Sequence, residues 1–173
     1  MWRRRIAPVL VAAALVALGG CQFETRVATP EAGTSRPAAR TPAKETTVPL
    51  RIINAQNATV VLVPVKVNGR GPYEFILDTG AASSSVDRRL VRRLHLPETG
   101  ETARVRGVGG STLAPLVRLR DWTVGGQRLR ARSLVVTDVG DDRVAGLLGS
   151  DELRRFGVVT VDFRRERLIL RGT

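Results

Sequence analysis

Cysteine, histidine and aromatic residues are scarce in this chain, and each scarcity excludes a class of site. Cys21 is the only cysteine, so the chain can form neither an internal disulfide nor a cysteine-based metal site. His95 is the only histidine, which excludes a poly-histidine metal site within one chain. Apolar runs are also short, since none reaches the roughly 18–20 residues that a helix needs to span a bilayer.

Acidic residues are few as well, and the resulting charge raises the question of a polyanionic partner. The 16 Asp+Glu stand against 28 Lys+Arg, which gives a net charge of +12. Most basic residues are scattered arginines, several of which alternate with apolar residues, as in Val117 to Arg120 and Arg128 to Arg132. Such alternation is typical of the solvent face of a half-buried strand. Nucleic-acid binders usually combine a clustered basic patch with stacking aromatics, and aromatics are only 4% here. We therefore expect no nucleic acid partner, but a solvated basic surface that suits anionic membranes.

The N-terminus has the pattern of an export signal. Met1 to Arg5 is cationic, and Ile6 to Leu18 is an apolar segment too short to span a membrane. The segment ends in Leu18-Gly19-Gly20-Cys21, which resembles the lipobox of bacterial lipoproteins. The resemblance implies a signal peptide over residues 1–20 and a lipidated Cys21 at the mature N-terminus, a combination of acyl chains that anchors stably. A plain secretory signal with an incidental cysteine is the alternative.

Residues 21–48 are expected to form a flexible tether behind that anchor. The segment is rich in Thr, Ala, Pro and Glu and has no apolar periodicity, so it cannot bury enough surface to offset its ordering entropy. The residue after the cysteine is Gln22 and not Asp. By resemblance to bacterial lipoproteins, this favours the outer membrane. We expect an exported protein, lipid-anchored on the periplasmic side of a bacterial envelope.

Residues 49–173 are predicted to form one all-β domain with two short helices. Hairpin signals occur at Asn68-Gly69, Gly109-Gly110 and Gly125-Gly126, each between segments of period-two alternation. Apolar spacing predicts one helix over Val86 to Leu94, and a second helix is expected over about Asp151 to Phe156, with Ser150 as its N-cap and Gly157 after it.

The strongest chemical signal is a carboxylate at the end of an apolar strand. Phe75 to Leu77 run directly into Asp78-Thr79-Gly80-Ala81. A carboxylate in such a place is costly unless it is partnered or functional. Thr79 can donate a hydrogen bond that locks the turn, and Gly80 lets another backbone approach closely.

This segment resembles the active-site loop of retropepsin-like aspartic proteases, the single-lobe relatives of pepsin. Val105 to Gly110 resembles the glycine-rich flap of that family, and Gly146 to Gly149 resembles its hydrophobic-hydrophobic-glycine segment before a short helix. The resemblance covers about residues 58 to 170 and implies a single-lobe retropepsin-like β-barrel. It assigns catalysis to Asp78, support of the active-site loop to one set of residues and substrate contact to a second. The loop-support residues are Thr79, Gly80, Ala81, Leu147, Leu148 and Gly149. The flap residues are Gly107, Val108, Gly109 and Gly110.

The resemblance also implies a mechanism and a partner. Two carboxylates about 3 Å apart share one proton and activate a water between them, so neither a metal nor a cofactor is needed. The chain has one Asp-Thr-Gly, so the second carboxylate would be Asp78 of another copy in a C2 homodimer. Leu50 to Ile53 and Arg167 to Leu170 are candidate dimer edges. The expected partners are therefore a peptide substrate, a second copy of the chain and, through Cys21, a membrane.

Other polar residues have structural interpretations. Asp151 and Glu152 are expected as helix-start charges, Asp162 as a strand-end residue and His95 as a helix-end residue. Asp141 and Asp142 are expected at a loop tip, and Ser83 to Ser85 either line the pocket or bond locally.

The sequence leaves two other classes of function open. A lipid-anchored envelope protein could keep the same fold as a non-catalytic peptide-binding groove, and a basic scaffold lipoprotein could contact an anionic polymer. Sequence alone does not separate the first of these from an endopeptidase.

Overall fold

The structure is a computed structural model that describes residues 45–55, 58–107 and 110–172. The predicted signal peptide, Cys21 and most of the predicted tether lie outside these residues. No helix among those that are described is long and apolar enough to cross a membrane.

Strands dominate the described chain. They are β1 (Glu45–Pro49), β2 (Arg51–Ala55), β3 (Ala58–Val67), β4 (Arg70–Leu77), β5 (Ser85–Asp87), β6 (Glu98–Gly107), β7 (Gly110–Arg118), β8 (Trp122–Val124), β9 (Gln127–Arg128), β10 (Ser133–Thr137), β11 (Val144–Leu148), β12 (Val158–Asp162) and β13 (Arg167–Arg171).

The large sheet places three strands around the predicted active-site loop. Its order is β6-β7-β10-β5-β11-β4-β3-β8-β9, with β2 paired to β3. Strand β11 lies between β4, to which it is parallel, and β5, to which it is antiparallel. The loop after β4 therefore emerges beside the end of β11. The all-β, retropepsin-like fold is confirmed, although this sheet is open, with β6 and β9 at its two ends.

A second, three-stranded sheet joins the two ends of the domain in the order β1-β13-β12. Strand β1 begins at Glu45 and buries Val48, so ordered structure starts before the boundary predicted at residue 49. Strand β13 pairs on both sides. The prediction that Arg167 to Leu170 form a dimer edge is therefore wrong, because β1 already occupies the side that was expected to be free.

The core lies between the sheets and the helices and is almost entirely aliphatic. Period-two alternation in β3 buries Val63, Val65 and Val67, as the sequence predicts. Phe75 of β4 lies against Trp122 of β8, with ring centroids 6.4 Å apart. These side chains fix β3, β4 and β8 relative to one another, and Asp78 follows directly from β4.

The predicted hairpins form where glycine permits a positive φ. Asn68 and Gly69 have φ values of 51° and 75°, and Gly125 and Gly126 have values of 55° and 80°. Both pairs have the sign that a type I′ turn requires. The third hairpin joins β6 to β7, and its Val108 and Gly109 lie outside the described residues.

The two helices differ from their predictions at their starts. Helix α1 is Arg88–Leu94, with Asp87 as the N-cap and His95 as the left-handed C-cap. Val86 lies in β5, where pairing with Gly146 and Val136 outweighs its helical spacing. Helix α2 is Ser150–Leu153, with Gly149 as the N-cap, so Ser150 is its first residue; a 3₁₀ turn from Arg154 to Phe156 continues it.

Candidate active site

Asp78 is held at the C-terminal end of β4 by the strand beside it. Its backbone N–H donates to the carbonyl oxygen of Leu148 at 3.0 Å, which continues the parallel pairing of β4 with β11 by one residue. The residue is only partly buried, while Phe75 and Leu148 nearby are fully buried. The carboxylate thus lies at the boundary between the core and solvent.

The carboxylate of Asp78 organises its own loop. Its Oδ1 accepts hydrogen bonds from the backbone N–H groups of Gly80 at 2.9 Å and Ala81 at 3.1 Å. Within the described chain, Oδ2 has no hydrogen-bond partner, so one oxygen is fixed and the other remains available. A Cβ on Gly80 would lie 3.3 Å from Oδ1, closer than most Cβ contacts, so the carboxylate would have to shift slightly to admit one.

Thr79 does not lock the turn in the way that the sequence suggests. The residue is exposed, and its hydroxyl makes no hydrogen bond to the residues that the structure describes. The Asp78 carboxylate closes the turn instead, through the N–H groups of Gly80 and Ala81.

Gly149 lets the end of β11 pass close beneath the loop. A Cβ there would lie 2.8 Å from the carbonyl carbon of Ser83 and 3.0 Å from the carbonyl oxygen of Ala81. The next residue uses this proximity, since the N–H and the hydroxyl of Ser150 both donate to that Ala81 oxygen at 2.9 Å. Leu148 is fully buried and Leu147 partly buried beside it. The structure therefore brings the loop-support residues of β11 against the loop that carries Asp78.

A second contact, between Ser84 and Asp151, ties the far end of the loop to helix α2. Asp151 Oδ1 accepts from the Ser84 N–H at 3.0 Å and from the Ser84 hydroxyl at 2.7 Å. The same hydroxyl accepts from the Gly149 N–H at 2.9 Å. The sequence did not predict this contact, although Ser84 after the loop and Asp151 at the start of a helix are both visible in it.

The remaining carboxylates of interest have structural partners. Glu152 is 3% exposed and accepts from the backbone N–H groups of Arg130 and Ala131. The side chain of Asp162 is bound by Arg165 and Arg167; the Arg165 N–H in particular lowers its pKa. Asp141 is bound by Arg143, whose side-chain hydrogen bonds lower the pKa of Asp141 to about 2. The structural interpretations of these acids agree with their contacts.

Asp87 is a fourth such acid and the most deeply buried aspartate. It is 1% exposed and accepts from Arg89 Nε at 2.9 Å and from the Val139 N–H at 3.0 Å. Burial by itself would raise the pKa of Asp87, but hydrogen bonds from the Arg89 side chain, Val139 N–H and Arg89 N–H outweigh burial. The pKa therefore falls from 3.8 to about 2. This acid fixes α1 to the loop after β10.

Strands β6 and β7 form a hairpin at the place where the flap is predicted. The two strands pair as far as Gly107 and Gly110, and Ser111 to Leu113 near its end are exposed. Leu113 is 62% exposed, which is unusual for a leucine in a strand. The strands are thus observed, while the placement of Val108 and Gly109 lies outside the described residues.

Among the residues that the structure describes, no group of three or more His, Cys, Asp or Glu side chains could hold a metal ion. The arrangement around Asp78 offers a carboxylate with one oxygen fixed and one free at the C-terminal end of β4.

This arrangement, an aspartate after a buried strand, held by its own loop and supported by a parallel strand, is that of an acid-protease lobe. Residues 63–151, just over half of the chain, match the sequence model of the family described as aspartyl protease, and the chain belongs to that family. A crystal structure of a retropepsin-like aspartic protease from Rickettsia conorii matches with a TM-score of 0.52 and 19% sequence identity. The match covers 75% of this chain and 92% of that one, and at this identity it shows the fold alone. No curated protein matches the chain.

Proposed function

We propose that this protein is an exported aspartic endopeptidase in which Asp78 from each of two copies activates a water molecule. The observation that supports it most directly is the Asp78 loop, in which one carboxylate oxygen is fixed by two N–H groups and the other is left available. Membership of the aspartyl protease family supports peptide hydrolysis.

The proposed reaction needs one proton shared between the two carboxylates. The ionised carboxylate takes a proton from the water, whose oxygen attacks the scissile carbonyl carbon. The protonated carboxylate donates its proton to the carbonyl oxygen. Collapse of the tetrahedral intermediate breaks the C–N bond: the departing nitrogen takes a proton from one carboxylate, and a hydroxyl of the intermediate returns a proton to the other, so the pair again holds one shared proton. Activity should therefore fall at low pH and at high pH, in a bell-shaped profile that belongs to the pair.

The proposal needs a second copy because no hydrogen-bond contact among the described residues brings a second free acid to the Asp78 loop. The nearest candidate through loop contacts is Asp151, and its Oδ1 is already bound twice by Ser84. The homodimer then places an identical loop opposite the first across a twofold axis.

Strand β12 provides a surface for that second copy. In the described chain it pairs only with β13, so its other edge is free. Val158 is the first residue of β12 and is 49% exposed, and Phe163, which follows its last residue, is 58% exposed. The strand follows helix α2, whose first residue contacts the Asp78 loop. Pairing of two β12 edges would bury these apolar groups and join two three-stranded sheets near the two active-site loops.

The proposed location is the periplasmic side of a bacterial envelope, through a lipid on Cys21. Leu18 to Cys21 after a short apolar segment support this part of the proposal. Cys21→Ser should shift the protein from the membrane fraction to a soluble form or an uncleaved precursor. Unchanged intact mass and unchanged fractionation would reject the lipid anchor without affecting the enzymatic proposal.

A peptide-library digest tests the enzymatic proposal. Asp78→Asn removes the ionisable group from both halves of the site with little change in volume, so all cleavage should be lost while the fold is retained. Asp142→Asn, at an exposed loop position, makes the same chemical change as a control and should cleave normally. Cleavage by folded Asp78→Asn at the normal rate would reject the proposal. Peptide binding without cleavage by the unchanged protein would favour a non-catalytic peptide-binding groove.

A further inference from the structure

Five basic side chains form an exposed surface at one corner of the domain. We call this surface the basic corner. Its members come from β3, the end of β7, β9 and the segment that leads into β10. They are Lys66, Arg118, Arg120, Arg128 and Arg132, all of which are exposed.

Strand pairing brings these residues together. Thr123 of β8 pairs with Lys66 on one side and with Arg128 on the other, so the two basic residues lie on the same face, about 10 Å apart at Cα. Arg118 pairs with Ser133, the residue after Arg132. The guanidinium of Arg132 donates to the carbonyl oxygen of Arg120. The Arg120 N–H in turn donates to Asn68 Oδ1, in the turn that follows β3.

The basic corner carries its charge without ion pairs. Arginines such as Arg89, Arg143 and Arg167 each lie within 4.0 Å of a carboxylate, while exposed arginines outside the corner, such as Arg88 and Arg92, resemble the corner residues in having no such partner among the described residues. For the five corner residues, no such carboxylate is found among the described residues, and the one acid in the adjoining segment, Asp121, forms no ion pair with them. Arginine stays charged at any relevant pH, so the surface remains strongly cationic.

The first described strand also lies beside this corner. Thr46 of β1 accepts a hydrogen bond from the Gln127 side chain at 2.8 Å. A Cβ on Gly125 would overlap the Val48 side chain, so β1 lies directly against the β8–β9 turn. The neighbour of Gln127 in that hairpin is Arg128. The predicted tether would therefore join the described strands next to the basic corner.

We propose that the basic corner binds the surface of an anionic phospholipid bilayer and so orients the domain on the membrane. Lys and Arg near such a surface each add to the attraction, within about a Debye length. The choice of a membrane over another polyanion rests on the proposed anchor at Cys21, together with the position where the tether reaches the fold. Single-stranded nucleic acid fits less well, because the aromatic ring in this region, that of Trp122, is 1% exposed and cannot stack on bases.

Vesicle co-sedimentation tests the proposal with the chain that begins at Gln22 and carries no lipid. The chain should bind vesicles that contain phosphatidylglycerol, fail to bind pure phosphatidylcholine, and be released by salt. Arg118→Gln/Arg120→Gln/Arg132→Gln should weaken binding at least about tenfold. The matched control, Arg88→Gln/Arg92→Gln/Arg164→Gln, removes the same charge from exposed positions outside the corner and should retain most of the binding.

Equal losses in the two triple variants would overturn the proposal, because they would show that net charge alone drives binding. Tighter binding to single-stranded DNA than to the anionic vesicles would also overturn it. If the first variant fails to fold, Lys66→Gln/Arg128→Gln tests the same surface from the β3 and β9 side. Peptide cleavage should be equal in all these variants, so failure here is distinguishable from failure of the proposed enzymatic function.

Discussion

Asp151 and Ser84 are 67 residues apart in sequence, yet the carboxylate of one accepts two hydrogen bonds from the other, at 2.7 and 3.0 Å. The contact joins the first turn of α2 to the end of the loop that carries Asp78. The position of that aspartate therefore depends on a helix that follows it by more than 70 residues.

A double-mutant cycle measures this contact. Ser84→Ala and Asp151→Ala should each lower the free energy of unfolding by about 1–3 kcal/mol, because each leaves a partly buried partner unsatisfied. Their coupling energy should be about 1–2 kcal/mol. The exposed hydrogen bond of Thr59 to Asn54, treated in the same way, is the control and should show little coupling. Additive effects of Ser84→Ala and Asp151→Ala in urea unfolding would contradict the contact.

Gly149→Ala should damage the active-site loop more than an alanine substitution elsewhere. The added Cβ would meet the backbone of Ser83 and Ala81 at 2.8 to 3.0 Å, and backbone cannot move aside as a flexible side chain can. We expect a loss of about 1–3 kcal/mol in unfolding free energy and a larger loss of peptide cleavage. Gly172→Ala, where a Cβ would meet nothing within 4 Å, is the control. Equal stability of the two variants would show that β11 does not support the loop as described.

Asp87 should make the domain less stable in acid. Its pKa is about 2 in the folded protein and 3.8 as the reference for the unfolded chain. The stabilisation is therefore complete only above about pH 5 and is lost as the pH falls through about 2, roughly 2 kcal/mol in total. Urea unfolding at a series of pH values should show this loss, and Asp87→Asn should remove the Asp87 part of the slope. A slope that is unchanged in Asp87→Asn would assign the acid sensitivity to other groups.

The free edge of β12 should control dimer formation. Phe163→Ser removes an exposed ring that a twofold interface would contain twice, so the dimer should weaken at least about tenfold. Sedimentation across a concentration series, with peptide cleavage measured on the same samples, gives both quantities. Leu113→Ser, which removes a comparably exposed side chain from the flap, serves as a comparison. Full activity from a strictly monomeric species would reject the homodimer and direct attention to a second acid within the chain.

Local signals were sufficient for the parts of the fold that depend on neighbouring residues. Asn68-Gly69 predicts its turn because the required φ values belong to those two residues. The apolar strand before Asp78 and the loop after it are likewise encoded within seven consecutive positions. The alternation from Val117 to Arg120 correctly indicates which side chains face solvent.

Pairings between distant segments could not be predicted from such local signals. Val86 fits the apolar period of the helix that follows it, but Val136 and Gly146 draw it into the sheet. The central position of β13 depends on β1, whose sequence reads as part of a polar tether. The Thr79 hydroxyl was expected to close the turn, yet Asp78 makes the closing hydrogen bonds itself.

Glu45 and Arg171 are opposite each other where β1 pairs with β13, and Arg171 Nε donates to Glu45 Oε2 at 2.7 Å. Directly paired residues in an antiparallel sheet have Cα atoms only about 5 Å apart. A reporter fused beyond Gly172 would therefore emerge next to the start of β1 and would compete with the proposed bilayer contact of the basic corner. A circular permutant could join Gly172 to Glu45 by a short linker and be opened at the exposed turn of Arg164 and Arg165. Its new termini would lie at the opposite end of the small sheet, so an anchor attached there would hold the same fold from the other side.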